Sequence, residues 1–188
     1  GWVLVVADKY PAALAASDLV RVEWTAGPGS DVSEQDLQNN AQALLDDDSI
    51  GAILDTGNSD TSAAFAGAAT TVDETYTTAT ALHFQMEPVN ALAFEKDGVM
   101  EIHTGNQWQS LVLPWLAAAL DMPEDKIVMR SYHLGGGFGR RLNGDYAIPA
   151  ALAAKALGKP VKMILTREDD TRMDSVRSPS VQRLRLAV

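Results

Sequence analysis

Between Ser131 and Leu142 the sequence runs SYHLGGGFGRRL: three consecutive glycines, a phenylalanine, a fourth glycine and two arginines directly behind an apolar, strand-like stretch. Glycine lacks a Cβ, so such a run lets backbone amides come close to a bulky group and adopt positive φ. Two arginines beside that bare backbone suit an anion. The familiar phosphate templates do not fit. A Walker loop needs Lys and then Ser or Thr after its last glycine, whereas Gly139 is followed by Arg140, Arg141 and Leu142. A dinucleotide fingerprint needs a third glycine three places after the second; counted from Gly135 that place holds Arg140, and counted from Gly137 it holds Leu142. What remains is either a strand-to-helix turn whose amides reach a ligand or a plain tight turn packed on a neighbouring sheet. The residues alone leave both open.

Other chemistry is excluded by what the chain contains. There is no cysteine, so disulfides, thiolate metal sites, iron–sulfur ligation and a cysteine nucleophile are ruled out within these residues. His83, His103 and His133 stand singly, without metal-ligand spacing, and read as structural or surface residues. Glu87, in MEPVN, has no assignable role. The net charge of -10 argues against broad nucleic-acid binding, which depends on neutralising phosphates. That charge is unevenly spread: residues 1–125 hold 3 basic and 20 acidic side chains, residues 126–188 hold 12 and 5. Either each part solvates its own surface, or the C-terminal third faces an anion or an acidic neighbour. The longest apolar run, LVLPWLAAAL from Leu111 to Leu120, is about half of a bilayer-spanning helix. No basic-then-apolar leader opens the chain, and a soluble protein is expected.

The elements that must position the glycine turn follow from periodicity and punctuation. Residues 1–24 read as a β-α-β unit, with strands at Trp2–Ala7 and LVRVEW around a short helix beginning near Pro11. Ser33 caps a polar helix, with Asp36 three places on. A strand is expected over 50–54 and a small-residue helix over 59–68. VDETYTTATALHF is strand-like, and Lys96-Asp97-Gly98 reads as a hairpin turn. Leu111, Trp115 and Ala119 mark the apolar face of a helix that starts near Ser110 or kinks at Pro114. IVMRSYHL is a strand leading into the glycines, 144–157 a helix closed by Gly158 and Pro160, VKMIL a strand, and Thr166 the cap of a short acidic helix. The fold class expected is mixed α/β, or α+β.

The order TGNQWQ, LAAALDMPEDKIVMRSYHLGGGFGRR, AALAAKALGKPVKMILTREDD and VRSP resembles the molybdenum-binding large subunit of the xanthine dehydrogenase and aldehyde oxidase family, with the isoquinoline 1-oxidoreductase branch nearest. The likeness is strong over 84–179. It implies that residues 1–75 are the end of an α/β hammerhead-like domain and 76–188 the first part of a molybdopterin-binding domain. It also implies that the chain is a fragment of a longer subunit, inactive by itself, because the family's general-base glutamate lies beyond Val188.

The resemblance carries site residues with it. Gln107 takes the place of a glutamine that hydrogen-bonds an oxygen ligand of molybdenum, while Gly135, Gly136, Gly137, Phe138, Gly139 and Arg140 take the place of the turn beside the metal and the pterin. No residue here is a direct metal ligand or a catalytic group. Gln107 and Phe138 are expected in one pocket. Gly137→Val is expected to abolish cofactor retention, by blocking close approach and positive φ. The cofactor implied is a molybdenum–pterin, in its cytosine dinucleotide form, and the reaction is oxidation of an aldehyde or N-heterocycle with water as oxygen source. Purine-oxidising relatives have a glutamate where Leu142 stands, which disfavours a purine. Implied partners are a 2Fe–2S small subunit and a cytochrome c subunit, in the periplasm in preference to the cytoplasm. The other class of function is a non-catalytic α/β binding module with a glycine-rich anion loop.

Overall fold

A computed structural model describes residues 2–47, 49–52 and 60–188. The strand expected over 50–54 lies partly outside the described residues. The fold is mixed α/β, with six helices, a short 3-10 turn and two sheets among those residues. It divides into two compact units, each made of two chain segments: residues 1–23 with 82–175, and residues 24–81 with 176–188. This is a different division from the expected domains 1–75 and 76–188.

The first unit is built on a four-stranded sheet. β2 (Asn90–Lys96) and β3 (Val99–Thr104) form an antiparallel hairpin around Asp97 and Gly98, both at positive φ. A two-residue turn of that geometry matches the twist of the flanking strands. β4 (Ile127–Ser131) adds in parallel to β3, and β5 (Val161–Ile164) adds antiparallel to β2, giving the order β4-β3-β2-β5. The parallel step from β3 to β4 requires a crossover, supplied by helix α4 (Gln109–Leu120) and the 3-10 turn Glu124–Lys126. Helix α5 (Ala147–Leu157) precedes β5 and ends at Gly158, whose φ of +60° makes a left-handed cap.

The core shows why these segments fold as they do. Alternate strand residues Ala91, Ala93, Met100 and Ile102 are buried against Val112, Leu116 and Leu120 of α4 and Ala147, Ala150, Ala151 and Ala154 of α5. The α5 set has the spacing i, i+3, i+4, i+7 of one helix face, and its small side chains let the helix lie close to the alanines of β2. On α4 the buried face is one residue on from the expected Leu111, Trp115 and Ala119. Trp115 is half exposed, because the row that meets the sheet is Val112, Leu116 and Leu120. Pro114 sits inside α4 without ending it, at the cost of one backbone hydrogen bond.

The N-terminal β-α-β expectation is corrected. Helix α1 (Tyr10–Ser17) is present with proline in its first turn, but the stretches on either side are extended without joining a ladder among the described residues. Apolar alternation specifies a face; it does not supply a hydrogen-bonding partner. Two further boundaries move. The helix expected over 59–68 is α3 (Ser62–Gly67), and the one expected from 144 starts at Ala147, because Gly144 has φ +62°.

The second unit pairs β1 (Thr71–Thr78) with β6 (Ser180–Ala187) in an antiparallel ladder from Thr71↔Ala187 to Thr78↔Ser180. Arg183 grips Asp73 through two bonds of 2.7 Å across that ladder. Helix α2 (Glu34–Leu45) has the capping box: Ser33 Oγ accepts from the Asp36 amide at 3.2 Å, and the Asp36 carboxylate accepts from the Ser33 amide at 2.9 Å. In the first unit Thr166 likewise caps α6 (Arg167–Arg172), accepting from the Asp169 amide at 3.1 Å. Among the described residues no helix is long and apolar enough to cross a membrane.

Gly144 tests the account of the core. A Cβ there would lie 2.4 Å from Val112 Cγ1 in a backbone conformation that side chains rarely adopt. Gly144→Ala is therefore expected to destabilise the fold by about 3 kcal/mol in urea unfolding, and adding Val112→Ala to recover only the part due to the clash.

Candidate functional site

The glycines do not form a direct strand-to-helix turn. They lie in an irregular connection, 132–146, between β4 and α5, so no helix begins at them. This removes the helix-terminus form of anion binding and leaves a backbone site held by side chains. The connection bends through Gly136 at φ +98°, Phe138 at +53° and Gly139 at +102°. Gly137 is not among the positive-φ residues, which corrects part of the reason for expecting damage from Gly137→Val. Close approach is the reason that stands: a Cβ on Gly137 would lie 2.5 Å from both Cδ and Oε1 of Gln107.

Gln107 and the turn are therefore brought together. Gln107 stands just before α4, and its Oε1 accepts from the amides of Gly139 and Arg141, each at 3.2 Å. Two N–H donors fix which end of the carboxamide is oxygen, so Nε2 of this exposed residue remains an uncharged donor. The Gln107 amide donates to Arg141 O at 3.1 Å, and Asn106 Nδ2 reaches the same carbonyl at 2.7 Å. Asn106 Oδ1 in turn accepts from the Trp108 amide at 2.7 Å, which holds the bend into the helix. The Phe138 ring turns over Gly136, to within 3.1 Å of where a Cβ would sit, and is largely exposed. Gly137 is buried, yet among the described residues its amide donates to no other group of the chain. A buried backbone N–H without a partner is rare and points to an acceptor from outside.

The two arginines behave differently from surface anion ligands. Both are fully buried. Arg141 donates from Nε to Gly136 O at 3.0 Å, and from its terminal nitrogen to Glu87 O at 2.9 Å and Glu87 Oε2 at 2.7 Å. Glu87 Oε2 also accepts from the Gly135 amide at 2.9 Å, while the Glu87 amide donates to Gly135 O at 3.1 Å. Burial by itself would raise the Glu87 carboxyl. The Gly135 amide, the Asn90 carboxamide and the Arg141 charge outweigh it, so the group lies below its ordinary value of 4.5.

Arg140, expected among the cofactor-binding residues, points the other way. It pairs with Asp145 at 2.7 Å and Asp174 at 3.2 Å, donates to Met173 O at 3.2 Å, and lies 5.6 Å from the Tyr146 ring centre. Its guanidinium is an internal counter-ion, and what it offers the turn is its backbone. Asp174 also accepts from both His83 Nδ1 and the His83 amide at 2.8 Å, and His83 Nε2 lies 3.2 Å from where a Cβ of Gly139 would sit.

The chain matches the family model of the molybdopterin cofactor-binding domain over residues 45–188, which contains every residue of this site. It belongs to that family.

Within the molybdopterin cofactor-binding domain family, the chain is 58% identical over all of its length to the membrane-bound aldehyde dehydrogenase (pyrroloquinoline-quinone) of Gluconacetobacter polyoxogenes, covering 24% of that protein. It is 33% identical, over 97% of its length, to PaoC, the aldehyde oxidoreductase molybdenum-binding subunit of Escherichia coli, again covering 24%. Its fold matches quinoline 2-oxidoreductase from Pseudomonas putida 86 with a TM-score of 0.69 at 23% identity, over 96% of this chain and 24% of that one. The chain thus spans about a quarter of the length of these relatives.

Sequence reasoning missed Glu87, Asn106, Arg141 and His83 as the supports of the turn. Arg141 carried a signal, a second arginine after GGGFG, and Glu87 a weaker one in its MEPVN segment, but nothing in a linear reading pairs the two. Among the described residues no cluster of three or more His, Asp or Glu could hold a metal. An apolar cleft of about 360 Å³ lies between Leu4–Asp8 and β5, and none of the turn residues lines it.

Two outcomes follow from this geometry. Gly137→Ala leaves φ tolerable but displaces the Gln107 carboxamide, so it is expected to free the Gly139 and Arg141 amides to exchange with solvent about tenfold faster, read by hydrogen exchange. For Glu87, the lowered folded pKa means that its stabilisation is complete above 4.5 and is lost as pH falls below that value. The difference in melting temperature between wild type and Glu87→Gln is expected to be constant above this point and to shrink on acidification.

Proposed function

We propose that this chain forms one wall of a molybdenum–pterin site in a longer oxidoreductase subunit that oxidises aldehydes, with N-heterocycles as the other substrate class. The observation that carries the reading is the exposed Gln107, whose carboxamide oxygen is locked by the Gly139 and Arg141 amides and whose Nε2 is left beside Gly137 as a donor. A neutral donor at a fixed position suits an oxygen-rich anionic group, because it holds an oxygen without adding charge. The amide of buried Gly137, without a partner among the described residues, suits the same group. The residues present therefore fit the cofactor.

When bound, the cofactor supplies two-electron oxidation chemistry with water as the source of oxygen. Gln107 Nε2 would hold one of its oxygens, the backbone of 135–139 would lie against it, and Phe138 would wall the site. Leu142 presents an apolar side chain where purine-oxidising relatives have a glutamate, which favours aldehydes and disfavours purines. The names of two relatives, an aldehyde dehydrogenase and an aldehyde oxidoreductase subunit, support the same substrate class. The cytosine dinucleotide form of the pterin, a 2Fe–2S small subunit and a cytochrome c subunit as electron acceptors, and a periplasmic location belong to this reading.

The test is to purify the subunit at its natural length, measure molybdenum and pyrroloquinoline quinone per polypeptide, and follow aldehyde oxidation with an artificial acceptor. Molybdenum near one per chain is expected. Gln107→Ala should lower kcat by about 100- to 1000-fold, the range for removing one fixed donor, with residues 1–188 alone inactive. Quinone without molybdenum would overturn the reading.

A further inference from the structure

We infer that Glu87 and Arg141 are positioning residues that set the orientation of Gln107 and the shape of the glycine turn. The inference rests on the reading of Gln107 as a cofactor-facing donor and goes beyond it in naming what aims that donor. Arg141 is engaged at every polar group. Its amide donates to Gln107 Oε1 at 3.2 Å, its carbonyl accepts from the Gln107 amide at 3.1 Å, and its Nε holds Gly136 O at 3.0 Å. Side chain and backbone of one residue thus fix both the carboxamide and the turn opposite it.

Such a guanidinium, without exposure, can stay in place only if its charge is answered at short range. Glu87 gives that answer, with Oε2 2.7 Å from the Arg141 terminal nitrogen. The same oxygen takes the Gly135 amide at 2.9 Å, and the Glu87 backbone bonds Gly135 O at 3.1 Å and receives Arg141 at 2.9 Å. A carboxylate bonded to charged and backbone donors together is geometrically specific. The Gly135 Cα lies so close that a Cβ there would meet Glu87 Cβ at 2.5 Å. Chain position 87 therefore grips the front of the glycine run and, through Arg141, the residue that orients Gln107. Neither side chain needs to touch the cofactor.

Hydrogen exchange of the natural-length subunit, with and without cofactor, tests this directly. Glu87→Gln keeps the shape and removes the charge. It is expected to speed exchange of the Gly139 and Arg141 amides about tenfold while the Met100 and Ile102 amides of β3 stay within about twofold of wild type. Arg141→Lys, which keeps charge but loses the fork, should do the same, and Glu87→Asp should recover part of the protection. In cofactor-loaded protein the Glu87→Gln variant should lower kcat at unchanged KM per molybdenum bound. Turn amides as slow as in wild type would overturn the inference, and so would equal acceleration in β3, which marks a general loss of stability. If wild type holds no molybdenum, the proposed function fails, whereas the exchange comparison on the same protein still decides the role of the pair.

Discussion

Two adjacent buried guanidiniums govern this structure. Arg140 and Arg141 follow the last glycine of the turn, both without exposure, and their side chains diverge to different acceptors. An unanswered charge in the interior costs several kcal/mol, so each arginine dictates where carboxylates and carbonyls must stand. Arg141 draws in Glu87, Gly105 O and Gly136 O from one side. Arg140 draws in Asp145, Asp174 and Met173 O from the other. The glycines between β4 and α5 are shaped by this pull from two directions. Their freedom at positive φ, at Gly136 and Gly139, lets the chain follow it.

The same constraint explains the uneven charge along the sequence. Cations gathered in residues 126–188 meet acids gathered earlier: Arg141 with Glu87, Arg130 with Glu101, and Arg183 and Arg185 with Asp73. Part of the split is thus pairing within the chain, with the earlier acids serving as the acidic neighbour that one of the two sequence readings allowed. Exposed pairs such as Arg130–Glu101 contribute little to stability, whereas the buried pairs specify geometry. One mismatch remains in the Arg140 network. Arg140 Nε, 3.2 Å from Asp174 Oδ1, and Asp170 Oδ1 are both buried without a hydrogen bond among the described residues and stand 4.0 Å apart.

Chemistry at the turn is divided between backbone and side chain. Backbone gives close approach, because Gly135 and Gly137 have no space for a Cβ against Glu87 and Gln107. Side chains give direction, because Gln107 is read by two amides that accept only its oxygen end. A rigid sheet and two helices stand behind both. Residues 105–108 are tied by Asn106 to Arg141 O and to the Trp108 amide, which joins the bend into α4 to the turn.

Much of this was legible in the sequence where the cause is local. Asp97-Gly98 between two apolar alternations dictates a hairpin, Ser33 and Asp36 a capping box, Thr166 a helix start and Gly158 a helix end, since each depends only on residues within a turn of one another. The GGGFG run likewise announced a place of close approach, while Gln107 was named as its neighbour only by the family resemblance. Tertiary structure alone decided what depends on distant partners. It turned Trp115 outward and Val112 inward, left the apolar flanks of α1 without a ladder among the described residues, and placed the start of α5 at Ala147. It also turned Arg140 away from the turn and gave Glu87 its role. A charge pair across 54 residues leaves no periodic mark in a sequence, because it is specified by where two chains of elements bring their ends and not by the spacing within either.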